Sequence, residues 1–319
     1  MQRILVVYYS QTGQLREIVS SITAPLTARE DFEVVTAQIK PRRAYPFPWP
    51  FWQFFSTFPE TVAELPDPIE PLDVGSNSDF DLVILAYQVW FLSPSMPMMA
   101  FLQSEQAKQL LKNRRVITVI GCRNMWLQAQ ERMKLHLQRL GARLVDNVVF
   151  TDATHMAATF ISTPLWMLTG RRGPFLGGRI PAAGIAPTEI AAASRFGRAI
   201  TDQLPGRSEQ NDSSFFAGLG AVKITEHLIA SEAVGRRSFR AWGALLRACG
   251  GPTNPLRRIV LGIYIVFLIC LIVTVVPLSA LIRRALHPIT KSRIEAQRQY
   301  FAAPSGEADH LRHSMASGS

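Results

Sequence analysis

The stretch ILVVYYSQTGQL, residues 4–15, decides how the chain is read. Its first half is an unbroken apolar, β-branched run, the pattern of a strand buried on both faces. It stops abruptly in Ser10-Gln11-Thr12-Gly13-Gln14, and apolar residues at helical spacing (Leu15, Ile18, Val19, Ile22) follow at once. A strand that turns into a helix in this way leaves the first helical N–H groups free. The helix dipole and the two hydroxyls add to the attraction for negative charge. The corner therefore suits an anion. A buried strand with an ordinary helix cap and no ligand fits this loop equally well.

Working outward, apolar runs at residues 32–37, 82–86, 116–121 and 143–150 predict four more strands. Helical spacing is expected at residues 98–111, 127–140 and 187–203, the last with Thr188 as N-cap. Continuous apolar strands alternating with helices predict an α/β fold, a doubly wound five-stranded parallel sheet with helices on both faces. Ligands of such sheets sit beyond the strand C-termini at the switch point. The loops after the first, third and fourth strands share that edge.

Two insertions interrupt the pattern. Residues 41–59, PRRAYPFPWPFWQFFSTFP, hold eight aromatic rings and five prolines, too many for a long helix or strand. Its rings suit three places: a membrane interface, a ring-lined substrate pocket, or the domain's own core. Residues 151–186 contain an apolar stretch, 156–168, too short to span a bilayer and interrupted by Pro164. It is expected to shelve into the membrane, roof the site, or form a plain buried helix.

The chain of 319 residues carries a net charge of +10. Residues 259–282 are 24 residues without a charge, about 36 Å of helix against a bilayer core of about 30 Å, which predicts a transmembrane helix. Arginines crowd both flanks (Arg236 to Arg258, and Arg283 with Arg284), which favours anionic lipid over nucleic acid. The expected organisation is a domain at 1–204, a linker at 205–214, a basic amphipathic region at 215–258, the span at 259–282 and a polar basic tail at 283–319. The opening strand follows no signal-like segment, so the reading is a single-pass inner-membrane protein with its N-terminal domain in the cytoplasm. Three scattered cysteines exclude a disulfide framework, and no metal site is expected.

The N-terminal two-thirds resembles the flavodoxin-like family, including its NAD(P)H-dependent oxidoreductase branch. Ser10-Gln11-Thr12-Gly13-Gln14 is similar to that family's phosphate loop, and Trp90, with Pro97 and Phe101 following, to its ring-stacking loop. The resemblance implies FMN, with NAD(P)H as a transient electron donor. Ser10, Gln11, Thr12, Gly13, Gln14 and Leu15 would hold the phosphate. Gln88, Val89, Trp90 and Phe91 would meet the ring, and Gly121, Cys122, Arg123 and Asn124 its edge. Gln88 stands where that family usually has proline, and Leu92 where it has glycine.

The whole chain also resembles dialkylresorcinol condensing enzyme-type proteins of bacterial aryl-lipid pathways, through YYSQTGQL, YPFPWPFW, LAYQVWFLSPSMP and CRNMW. That likeness implies a role in making membrane-bound phenolic lipids; the readings it leaves are an FMN-dependent oxidoreductase, a flavin-free condensing or cyclising enzyme, or a scaffold holding an acyl carrier protein or ketosynthase at the lipid bilayer. For condensation the candidate groups are Cys122, whose thiol a helix N-terminus would acidify, and His155 as general base.

Overall fold

The structure is a computed structural model that describes residues 1–152 and 156–306. Five parallel strands, β1 (Gln2–Tyr8), β2 (Phe32–Gln38), β3 (Leu82–Trp90), β5 (Arg115–Cys122) and β6 (Arg143–Thr151), lie in the order β2-β1-β3-β5-β6. A two-residue strand, β4 (Ser93–Pro94), folds back antiparallel on β3. Among the parallel strands this is the flavodoxin-like order, with its switch point between β1 and β3. Pairing of Tyr8 with Ala86 and of Gln88 with Gly121 brings the C-terminal ends of β1, β3 and β5 to one edge.

Helices α1 (Gln14–Thr27), α8 (Pro187–Ala192) and α9 (Ser194–Gln203) cover one face. The other is covered by α4 (Met96–Leu102), α5 (Glu105–Leu111) and α6 (Leu127–Arg139). Two expected helices are each divided. The 98–111 stretch breaks at Ser104, whose hydroxyl accepts from the Ala107 amide and caps α5. The 187–203 stretch breaks at Ala193, and its first helix is capped by the backbone of Ala186. Thr188 is therefore not the N-cap; Pro187 with its preset φ takes the first helical position.

The 41–59 insertion supplies α2 (Phe51–Ser56), and α3 (Phe58–Ala63) begins at its end. Most of its rings turn inward: Trp49 and Phe58 are buried, while Phe51 and Trp52 remain 42% exposed. The second insertion forms α7 (Met156–Thr169), which carries Pro164 without ending there.

The expected linker is not a boundary in the packing. Asp146 of β6 is buried, accepts from the Ser214 hydroxyl and the Phe215 amide, and so sets Phe215 and Phe216 into the core. Helices α10 (Glu226–Ala248) and α11 (Pro255–Ala302) follow. Within α11, Pro255–Thr274 is long and apolar enough to cross a membrane, with a mean hydropathy of 2.5. Within the described residues the tail is helical through Ala302 and packed: Ala302 and Ser305 are buried.

Candidate functional site

The turn after β1 comes first. Gly13 has φ 90°, a conformation costly for residues with a Cβ, and nothing lies within 4 Å of where a Cβ would stand. The Glu17 amide bonds to the Gly13 carbonyl as α1 begins, so the amides just before it have no intrahelical acceptor. The Ser10 hydroxyl accepts from the Arg16 amide at 3.3 Å. Gln11 and Gln14 are tied elsewhere. Gln11 donates to the Pro46 carbonyl at 3.1 Å, and Gln14 exchanges two hydrogen bonds with the Ile185 backbone. Thr12 faces the cleft.

At the end of β3, Gln88, Val89, Trp90 and Phe91 all line the cleft. Phe91 and Leu92 are the two central residues of the β3–β4 hairpin, with φ 47° and 60°. Such turns normally take Asn or Gly, and each bulky residue there costs about 1–2 kcal/mol. Packing holds them: Phe91 touches the rings of Phe54 and Phe58, and Leu92 is buried. Trp90 does not stand free. It meets Tyr9, Tyr45 and Trp49 at near-perpendicular angles, with centroids 6.1, 5.0 and 5.7 Å away. The buried Gln88 Oε1 has no hydrogen-bond partner among the described residues.

At the end of β5, Gly121, Cys122 and Arg123 line the cleft and Asn124 does not. The expected acidification of Cys122 fails for a physical reason. The N-terminus of α6 is taken by Glu232 of α10, whose carboxylate accepts from the Gln128 amide at 2.9 Å. Burial pushes the Cys122 thiol up, and the nearby Glu232 charge pushes it further. It is a thiol near neutrality, not a thiolate nucleophile. Glu232 itself is 0% exposed, and burial outweighs its amide hydrogen bonds, raising it to about 7. The Arg123 guanidinium is pushed down to about 10 by burial, against the pull of Asp152. It donates to Thr159 at 2.9 Å and lies over Phe160. His155 lies outside the described residues.

The two insertions close the cleft. Phe47 and Phe54 come from the first, Thr163, Trp166, Met167, Gly184 and Ile185 from the second. The Trp49 amide donates to the Met167 carbonyl at 2.7 Å, and Phe47 meets Trp166 edge-on, so the insertions brace one another. The stretch around Trp166 thus roofs the cleft. Sequence reasoning did not single out these residues or Asp152, although the density of rings in 41–59 was a signal. The cavity holds about 180 Å³, below the roughly 300 Å³ where ligand clefts begin, because these side chains lean across it. Among the described residues no group of His, Cys, Asp and Glu is placed to hold a metal.

No family model matches the chain, and no curated protein matches it. Solved structures of similar outline include a flavoprotein in complex with FMN from Lactobacillus acidophilus, 16% identical, spanning 47% of this chain and 93% of its own, TM-score 0.38. Flavodoxin 1 from Bacillus cereus is 12% identical over 63% and 99%, TM-score 0.35. A WrbA-like flavodoxin from Agrobacterium tumefaciens is 9% identical over 65% and 100%, TM-score 0.36. The fold assignment rests on this chain's own strand order and register.

Proposed function

We propose that this chain is a membrane-associated, FMN-binding oxidoreductase that acts on an apolar phenolic-lipid precursor in dialkylresorcinol assembly. The observation that carries the reading is the joining, in one cleft, of an open anion-receiving turn at Gly13 with a wall of rings and unpartnered polar atoms. Gln88 Oε1 and Thr163 Oγ1, both lining the cleft, lack partners among the described residues. Buried polar atoms left unpaired are costly, and a ligand would satisfy them.

The strand-end amides and Thr12 fit the group's phosphate, and the side chains that narrow the cavity to about 180 Å³ would have to part to admit its flat ring. The α1 first-turn amides and Thr12 would hold its phosphate, and the backbone from Gln88 to Phe91 and from Gly121 to Arg123 would face its ring. When bound, FMN supplies a two-electron acceptor, matching the two electrons lost when a cyclised diketone becomes a resorcinol. Arg123, a partly desolvated cation in the cleft wall, would pair with an anionic oxygen of the substrate. Phe47, Phe54, Trp166 and Met167 would exclude water and accept an alkyl chain. Substrate oxidation would leave the flavin reduced, so an oxidant such as oxygen or a membrane quinone would have to take its two electrons, and NAD(P)H, itself a reductant, has no part in that step. An acyl carrier protein or ketosynthase would deliver the precursor at the cytoplasmic face of the inner membrane.

A second reading, a cyclising enzyme of the same pathway that has lost its flavin, is favoured by the narrowness of the cavity. One experiment separates them. The full chain, purified in detergent, is examined for visible flavin absorption and titrated with FMN by fluorescence quenching. Bound or saturably binding FMN supports the redox reading; a colourless protein that FMN does not titrate sinks it.

A further inference from the structure

Both flanks of the apolar segment of α11 are packed on the same α/β domain. At the N-terminal flank Arg257, nearly fully buried, makes a two-point ion pair with Glu60 of α3 at 2.8 and 2.6 Å. One turn further, Leu261, Tyr264 and Ile265 are buried in a cluster with Phe58, and Tyr264 stacks on Phe58 at 4.6 Å. At the C-terminal flank the Tyr300 hydroxyl donates to Glu131 of α6 at 2.8 Å, and Lys134 lies over the Tyr300 ring. Phe301 packs on the core, and the buried Ser305 hydroxyl accepts from the Asn147 amide of the edge strand β6.

A domain on one side of a bilayer touches only flanks that emerge on that side. Two crossings need about 40 apolar residues. Only residues 266–299, 34 residues with six charges, separate the two packed flanks. Pro277 and Pro288 fall between them in the sequence.

We infer that α11 does not cross the bilayer: it is a monotopic anchor that enters and leaves one leaflet, with the N-terminal domain and the tail on the same face. This replaces the single-pass arrangement expected from residues 259–282, and it rests on the membrane association proposed above. The surface offered to lipid is visible at its start. Ile259, Ile263, Val266 and Val273 form an exposed stripe at helical spacing, and the exposed rings of Phe51 and Trp52 sit beside it. Arg258 lies over Trp52, and Arg247 is exposed at the end of α10, which sets positive charge at headgroup level. On the opposite side of its first turns, Leu261, Tyr264 and Ile265 are covered by protein.

The test uses the full chain in bacterial cells with Cys122, Cys249 and Cys270 replaced by alanine. One version carries Ser76→Cys in the domain and the other Ala303→Cys at the tail, both exposed positions. Spheroplasts are treated with a membrane-impermeant polyethylene glycol maleimide before and after lysis, and labelling is read as a gel shift. The inference expects the two cysteines to label in the same condition. Labelling of one in intact spheroplasts and of the other only after lysis overturns it while leaving membrane association intact. Recovery of the chain in the soluble fraction without detergent overturns membrane association itself, and this inference with it.

Discussion

The cleft has two walls of different origin. One is the sheet's own edge, where β1, β3 and β5 each end in a short local turn. The other is assembled from the insertions at 41–59 and 151–186, far apart in sequence and braced by Trp49, Met167, Phe47 and Trp166. The first wall supplies amides, a glycine in the left-handed region and strand-end backbone, the generic means of receiving an anion and a flat ring. The second supplies rings and a roof. The difference teaches that the strand-end turns belong to the fold, while the rings and the roof are what this chain added to it.

The sharpest way to break the comparison is to remove the second wall's central ring. Trp49→Ala deletes a buried indole that meets Tyr45, Phe54 and Trp90. It is expected to cost about 3–5 kcal/mol in a denaturant titration. A loss under 1 kcal/mol would mean the insertion is not part of the core.

The seam between the walls is Gly184, at φ 94°. A Cβ there would stand 2.4 Å from Gln14 Oε1 and 2.9 Å from the Trp166 ring. Gly184→Ala is therefore expected to destabilise by about 2–4 kcal/mol, from overpacking and backbone strain together. An unchanged melting temperature would show that the walls are not locked at this point.

Behind the sheet wall, Glu232 gives a pH test. Its folded value, about 7, lies above the ordinary 4.5, so the folded state holds the proton more tightly. Stability then falls as pH rises from about 4.5 to about 7 and is flat beyond, a penalty on the order of 3 kcal/mol. Glu232→Gln should match the parent near pH 4.5 and exceed it above pH 7. Parallel melting profiles across that range would contradict the burial of this carboxyl.

The smallest expected effect sharpens the division of labour. Trp90→Ala should weaken FMN binding by about 1–3 kcal/mol, read by fluorescence titration. Unchanged affinity would assign Trp90 wholly to the ring cluster of the second wall.

Strand-level features were legible because the runs at β1, β3 and β5 are apolar on both faces and the strands alternate with helical spacing. The positions of β1, β2, β3, β5 and β6, their parallel pairing and the turn at Gly13 all follow from that local pattern. Helix breaks at Ser104 and Ala193 were not, since a one-residue interruption barely disturbs a 3.6-residue period. Nor was the state of Cys122. Its distance from Glu232 in sequence hides the fact that the carboxylate occupies the helix end the thiol was expected to use.

The sequence by itself determined the strands and the edge at which their turns gather, because alternation of apolar runs and turns is a nearest-neighbour property. Only the tertiary structure decided what closes the cleft, which group caps α6, and that both ends of the apolar helix return to one domain. Those are contacts between residues dozens to hundreds of positions apart, and no local pattern records which distant surface a side chain will meet.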